Sequence, residues 1–156
     1  MEEKFGIKGK VEYTLYDANG NIKDSGMISN TITALMDAHV ADQMSDSGDA
    51  QIGYIALGTG TGGTSASTDL DTYSAATLIA LSGTGAVQGT AGDDNDVIYS
   101  GYWDAGVGTA TITEAGIFLG SKTARDDMMT YNDGLNVAKG ASDTLKIDWT
   151  VTYGAS

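Results

Sequence analysis

The stretch that decides the fold is Thr144-Leu145-Lys146-Ile147-Asp148-Trp149-Thr150-Val151-Thr152-Tyr153. Polar and apolar residues alternate strictly along it, so that every second side chain is apolar. Because successive side chains of a β-strand point to opposite faces, this pattern predicts a long strand with one buried and one solvated face. The buried face carries Trp149, and we expect Trp149 and Trp103 to be the large anchors of a hydrophobic core.

A β-hairpin is predicted at the N-terminal end of the sequence. Val11, Tyr13 and Leu15 alternate with polar residues, as in a half-buried strand. Residues 17–20 read Asp-Ala-Asn-Gly, which is typical of a tight turn, and residues 21–29 can return as the second strand. Further strands are predicted, in chain order, at residues 52–57, 75–81, 96–103, 109–119 and 128–137.

One helix interrupts this series of strands. The apolar residues that recur there at spacings of three and four are Ile32, Leu35, Met36, Val40 and Met44. This spacing predicts one amphipathic α-helix near residues 31–45, with Ser29 or Asn30 as its cap. With the strands, it predicts a single domain over residues 1–156. The expected fold is mostly β: an antiparallel β-sandwich, jelly-roll-like, with one amphipathic α-helix.

The charge distribution disfavours two classes of partner. The chain has a net charge of −13, and no Lys or Arg lies between Asp24 and Gly120. Because nucleic acids and anionic membranes are bound mainly through Lys and Arg, we expect no nucleic acid and no membrane as partner. The acidic surface is typical of a solvated exterior, or of a face that docks on a basic partner.

The sequence also indicates where the protein is made. It contains no cysteine, which excludes disulfides and favours folding in a reducing compartment. Residues 1–5 show no signal-peptide pattern, and no apolar run approaches the roughly 20 residues of a membrane span. We therefore expect a soluble protein made in the cytoplasm without a signal peptide.

Two motifs resemble ligand sites but favour structural interpretations. Residues 58–63 match the dinucleotide pattern G-x-G-x-x-G, yet no helical period follows them. We interpret residues 58–68 as a flexible loop of small side chains. Asp93-Asp94-Asn95-Asp96 could bind Ca²⁺ weakly, although an acidic surface loop explains the same residues. No other cofactor is predicted.

Two single residues are treated in the same way. His39 is the one histidine, and a lone His lacks the second ligand or orienting partner of metal or nucleophilic chemistry. Glu114 lies inside an apolar strand, where a carboxylate either faces solvent or is hydrogen-bonded for structure. We therefore predict no catalytic residue, no cofactor-binding residue and no metal ligand, and no enzymatic activity.

Three segments carry a resemblance to a known group of proteins. They read IGYIALGTG at residues 52–60, TITEAGIF at residues 111–118 and KGASDTLKIDWTVTY at residues 139–153. In this order and spacing, after a hairpin and a helix, they resemble the small β-sandwich virion structural proteins of tailed bacteriophages. The resemblance covers nearly the whole chain, and its motifs are short and structural.

The resemblance implies a non-enzymatic structural protein of the virion. A capsid decoration (cement) protein on the outer shell is the first interpretation, and a tail, collar or fibre-base component is the alternative. The implied partners are the major capsid protein or other virion proteins, and the implied assembly is a homo-oligomer, with a trimer favoured. Because the basic residues lie near the two ends of the chain, we expect Lys4, Lys8 and Lys10 to contact the shell.

A carbohydrate-binding module is the alternative from another class. Such sites stack sugar rings on exposed aromatic side chains. The candidates for this platform are Tyr99, Tyr102, Trp103 and Tyr131.

Overall fold

The computed structural model describes residues 6–45, 50–74, 77–81, 86–89, 95–120 and 127–155. Within these ranges the chain forms twelve β-strands and one α-helix. The elements are β1 (Gly6–Tyr16), β2 (Ile22–Ser29), β3 (Thr31–Ile32), α1 (Ala34–Met44), β4 (Ile52–Gly58), β5 (Ile79–Ala80), β6 (Ala86–Gln88), β7 (Asp96–Trp103), β8 (Ala110–Ile112), β9 (Glu114–Leu119), β10 (Met128–Asn132), β11 (Val137–Lys139) and β12 (Thr144–Ala155).

Ten of these strands form two five-stranded antiparallel sheets. Sheet I has the strand order β2-β1-β12-β7-β6, and sheet II has the order β3-β10-β9-β4-β5. β8 and β11 pair with each other in a separate two-stranded sheet. The first and last strands therefore lie side by side in sheet I, where β12 pairs with β1 on one side and with β7 on the other.

One hydrophobic core fills the space between the two sheets. It joins Trp149 and Ile147 of sheet I to Ile55 and Ile117 of sheet II, and Met36 of α1 packs against the same cluster. All five side chains are fully buried. The predicted fold class, a mostly β antiparallel sandwich with one helix, is confirmed.

Described segments cover the outer face of sheet II but not that of sheet I. A second apolar cluster lies on the outer side of sheet II, formed by Ala56, Leu70, Phe118, Met128 and Tyr131. Leu70 belongs to the long connection between β4 and β5, which therefore packs on this sheet. No described segment covers the outer face of sheet I, where Lys8, Lys10 and Tyr102 are exposed.

The helix is present, but its predicted start and cap are wrong. Thr31 and Ile32 pair with Tyr131 and Thr130 as β3, so the helix begins only at Ala34. Ser29 belongs to β2, and the side chain of Asn30 donates to the hydroxyl of Thr130 instead of capping the helix. Sheet pairing thus takes precedence over the local helical period in this segment.

The predicted apolar face of the helix is also only partly right. Met36 and His39 are buried, whereas Met44 is 82% exposed at the last helical position. Thr33 occupies the N-cap position, yet its hydroxyl donates to the carbonyl oxygens of Met128 (2.7 Å) and Met129 (3.0 Å). This residue therefore fastens the start of the helix to sheet II.

Two predicted strands are each divided between two sheets. Residues 109–119 form β8 and β9, and residues 128–137 contain β10 and the start of β11. β9 and β10 pair within sheet II, while β8 and β11 pair apart from it. The sequence pattern has no signal for this change of partner at Thr113. In addition, residues 75 and 76 of the strand expected at 75–81 lie outside the described residues, and within 77–81 only Ile79–Ala80 is a strand; β6 was not predicted.

The two tryptophans of the core differ in one hydrogen bond. Both side chains are fully buried. The indole N–H of Trp103 donates to the carbonyl oxygen of Thr77 at 2.6 Å. The indole N–H of Trp149 finds no acceptor among the described residues. Because an unpaired buried donor costs free energy, only Trp103 gains stability from its polar atom.

We therefore expect Trp103→Phe to lower the free energy of unfolding by about 1–3 kcal/mol more than Trp149→Phe. Both substitutions remove a similar volume from the core, so each serves as the control for the other. Urea denaturation of the two variants measures the difference. Equal losses would contradict the assignment of the hydrogen bond to Trp103 alone.

Candidate interaction face

The outer face of sheet I is not covered by any described segment. Strand register defines its members, because the residues between them point into the core. The outer face consists of Ser25, Met27 and Ser29 on β2, Lys8, Lys10, Glu12, Thr14 and Tyr16 on β1, Thr144, Lys146, Asp148, Thr150 and Thr152 on β12, Asp96, Ile98, Ser100 and Tyr102 on β7, and Val87 on β6.

This face is rich in hydroxyl groups and balanced in charge. Its three lysines are matched by Glu12, Asp96 and Asp148, although the whole chain carries a net charge of −13. The Lys146 ammonium lies 2.8 Å from the Asp148 carboxylate, and this hydrogen bond raises the pKa of Lys146. The outer face is therefore a locally neutral area on a strongly acidic protein.

The predicted shell-contact residues fall partly on this face. Lys8 and Lys10 are exposed on β1, and Lys10 lies 3.7 Å from Glu12, whereas Lys4 lies outside the described residues. The sequence did not group Lys146 with them. The alternation of residues 144–153 already places Lys146 on their polar side. Only the pairing of β1 with β12, however, brings Lys8, Lys10 and Lys146 onto one surface.

A second lysine cluster is structural. Lys139 is 2% exposed, and its ammonium donates to the carbonyl oxygens of Asp143 (2.7 Å) and Asp104 (3.0 Å). Burial lowers the pKa of Lys139, and the nearby charge of Asp143 opposes that shift. The Asp143 carboxylate accepts from Lys23 and from the Gly140 N–H, both at 2.7 Å, and these bonds lower its pKa. These charges hold the β11–β12 turn against β2.

The buried carboxylate of Glu114 organises the loop after β4. Glu114 is 1% exposed and accepts hydrogen bonds from three backbone N–H groups, those of Gly60 (2.9 Å), Asp71 (2.9 Å) and Thr72 (2.6 Å). The hydrogen-bonded alternative expected from the sequence is therefore the correct one, and the solvent-facing alternative is wrong. Glu114 thereby joins Gly60, near the start of the connection that covers sheet II, to Asp71 and Thr72 further along it.

The same loop explains the glycine pattern at residues 58–63. A Cβ on Gly58 would clash with the Glu114 carboxylate, and a Cβ on Gly63 would clash with the ring of Tyr131. These glycines are required where the loop backbone approaches buried side chains closely. Residues 59–68 form a loop, as predicted, and these glycines have a packing role in it.

The predicted aromatic platform for sugars is wrong. Tyr99, Trp103 and Tyr131 are 5%, 0% and 3% exposed, because all three pack into the two apolar clusters. Tyr102 is 47% exposed and belongs to the outer face. Alternation along residues 96–103 places Tyr102 on the face opposite Tyr99 and Trp103, but which of the two faces is buried, and that Tyr131 is buried too, follows from the packing of the two sheets.

An apolar cleft of about 370 Å³ lies beside the C-terminal half of α1. Val40, Ile52 and Val97 line it, and the hydroxyls of Tyr99 and Tyr153 meet at 2.9 Å in its wall. Burial raises the pKa of both tyrosines, so the phenols remain protonated near neutral pH. The described lining of this cleft carries no Asp, Glu, Lys or Arg.

Metal ligands and membrane spans are absent from the described part of the chain. No group of three His, Cys, Asp or Glu residues is arranged to hold a metal ion there. Asp93 and Asp94 of the possible calcium loop lie outside the described residues, while the Asp96 carboxylate accepts from the Thr152 hydroxyl at 2.5 Å. Among the described helices, none has the length and apolarity needed to span a membrane.

Comparison of the chain with protein-family models, with curated proteins and with solved structures yields no match.

Replacing Glu114 tests its role in holding the loop. We expect Glu114→Gln to lower the free energy of unfolding by about 2–4 kcal/mol, because an amide retains one acceptor oxygen and turns an NH₂ group toward backbone N–H donors. Chemical denaturation measures the loss. Glu12→Gln is the matched control: Glu12 is half-exposed, and we expect a change within about 0.5 kcal/mol. Equal effects at the two positions would contradict the loop assignment.

Proposed function

We propose that this chain is a non-enzymatic structural protein of a tailed-bacteriophage virion, bound as a decoration protein on the outer capsid shell. The observation that supports the proposal is the outer face of sheet I. It is broad, uncovered by any described segment, and locally neutral on a protein with a net charge of −13. Such a face can approach another protein surface without the repulsion that the rest of the chain would impose.

The chemistry of this face suits attachment to a protein surface. Lys8 and Lys10 reach solvent from β1, beside the hydroxyls of Thr150 and Thr152 on the neighbouring strand. Hydroxyl and ammonium groups donate hydrogen bonds to carboxylates and carbonyl oxygens of a partner. The partner in this proposal is the major capsid protein or another virion protein.

The buried charged groups accord with an architectural role. Glu114 is occupied by three backbone N–H groups, and Lys139 by two carbonyl oxygens. Each therefore stabilises a loop or turn of the sandwich. A tail, collar or fibre-base component is the alternative location and would use the same face.

Removing the two exposed lysines tests the docking face. We expect Lys8→Gln/Lys10→Gln to weaken capture by purified shells that lack this protein by at least about tenfold, because two charge-assisted contacts are lost. Co-sedimentation with the shells measures capture. The control, Ala34→Glu/Ala38→Glu on the exposed side of α1, changes the net charge equally and should leave capture intact. Unchanged capture of the lysine variant would overturn this docking face.

Copy number per particle separates the two locations. We expect quantitative mass spectrometry of purified virions to give hundreds of copies, since a decoration protein follows the repeating lattice of the shell. A handful to a few dozen copies would move the protein to the tail or collar. Absence from the virion would overturn the proposal.

A further inference from the structure

β2 is the longest free strand edge in the described part of the molecule. It pairs with β1 on one side, and no described strand pairs with its other side. The other outer strands β3, β5 and β6 have only two or three residues, whereas β2 has eight. Along an edge strand, alternate N–H and C=O groups point away from the sheet and can pair with another strand.

Both ends of β2 carry features that discourage such pairing. A register shift falls where Leu15 pairs with Asp24 and Tyr16 pairs with Ile22, and Lys23 between them is held in the ion pair with Asp143. At the other end, the carbonyl oxygen of Ser29 accepts a hydrogen bond from the side-chain amide of Asn132.

The middle of the strand is open to a partner. From Ser25 to Met27 it has no charged residue and no proline, and Met27 is 63% exposed.

Gly26 lies at the centre of this open stretch. A Cβ at Gly26 would lie 2.7 Å from Cε1 and 2.8 Å from the hydroxyl oxygen of Tyr13, the residue directly opposite on β1. The Tyr13 ring therefore occupies the space that a side chain at position 26 would need. Gly26 thus presents a backbone without a side chain, and the ring of Tyr13 packs against it on the inner side of the sheet.

We propose that two copies of this chain pair antiparallel through β2 about a two-fold axis at Gly26. In this register Gly26 faces itself, Ser25 faces Met27 of the partner subunit, and Asp24 faces Ile28 of the partner subunit. Ser25 and Met27 both point to the outer side of sheet I, as cross-strand neighbours must. No two like charges oppose each other.

A second copy is the occupant that this edge fits best, because the arrangement is self-complementary. Because the two strands are related by a two-fold axis, each presents the same free N–H and C=O groups to the other. Each copy therefore supplies hydrogen-bond partners for the free backbone groups of the other copy. The two five-stranded copies of sheet I would form one continuous sheet whose outer faces lie on the same side. This inference does not rest on the proposed virion role, since it concerns the isolated chain.

Light scattering after size exclusion tests the dimer. We expect the purified chain to show twice the 16.0 kDa chain mass at micromolar concentration. In Ser25→Glu/Met27→Glu, carboxylates oppose each other across the axis, and the dissociation constant should rise at least about tenfold. Both positions are exposed, so near-ultraviolet circular dichroism should remain unchanged. Ala34→Glu/Ala38→Glu adds the same charge on α1 and should stay dimeric. A monomeric parent chain, or a dimer insensitive to the β2 variant, would overturn the proposal.

Disulfide trapping tests the register, because the chain contains no cysteine. Ser25→Cys and Met27→Cys chains are purified separately and oxidised alone or as an equimolar mixture. We expect a disulfide-linked dimer only in the mixture, since position 25 faces position 27 across the axis and directly opposite strand positions suit disulfide geometry. Cross-linking of either variant by itself would place the axis elsewhere and overturn the position at Gly26.

Discussion

The pairing of β12 with strands on both of its sides is the constraint on which the rest of the structure depends. Its apolar face inserts Leu145, Ile147, Trp149 and Val151 into the core, each fully buried. Its polar face becomes the middle of the outer face of sheet I. β1 and β12 come from opposite ends of the sequence, so their pairing also closes the domain. Bringing such distant segments together costs chain entropy, and the many cross-strand contacts offset that cost.

The two sheets of the sandwich differ in whether a described segment covers their outer face. The connection after β4 folds over sheet II, and the three N–H bonds accepted by Glu114 hold that connection in place. A buried carboxylate is costly unless its oxygens are fully hydrogen-bonded, and here the backbone supplies those bonds. Since the described residues provide this cover only on sheet II, the outer face of sheet I is a surface that a partner can reach.

The free face and the free edge adjoin each other. β1 carries the exposed Lys8 and Lys10, and β2 lies beside it at the border of the same sheet. Pairing through β2 would therefore bring two copies of the face into one plane. A doubled face binds a repeating lattice more strongly than a single one, because the second contact forms at a high effective concentration. The two proposals are physically compatible: docking is argued from Lys8 and Lys10 of β1, and pairing from the free edge of β2.

Local alternation in the sequence determined the strands that pair regularly over long stretches. It predicted β1, β7 and β12, because a period of two by itself indicates a strand with one apolar face. It also predicted that Val11, Trp103 and Trp149 lie on the apolar faces of these strands. The helix was also predicted, since its apolar spacing is local. The position of the basic residues along the chain also led to the prediction that Lys8 and Lys10 contact a partner, and this stays a prediction.

Tertiary structure alone decided where strands change partner and which polar groups meet. The break at Thr113, the late start of α1 at Ala34 and the three bonds to Glu114 depend on residues distant in sequence. The joining of Lys146 to the lysines of β1 likewise requires the β1–β12 register. Alternation assigns each side chain to a face, but it carries no information about the neighbouring strand, and the neighbour decides whether a face becomes core, cover or free surface.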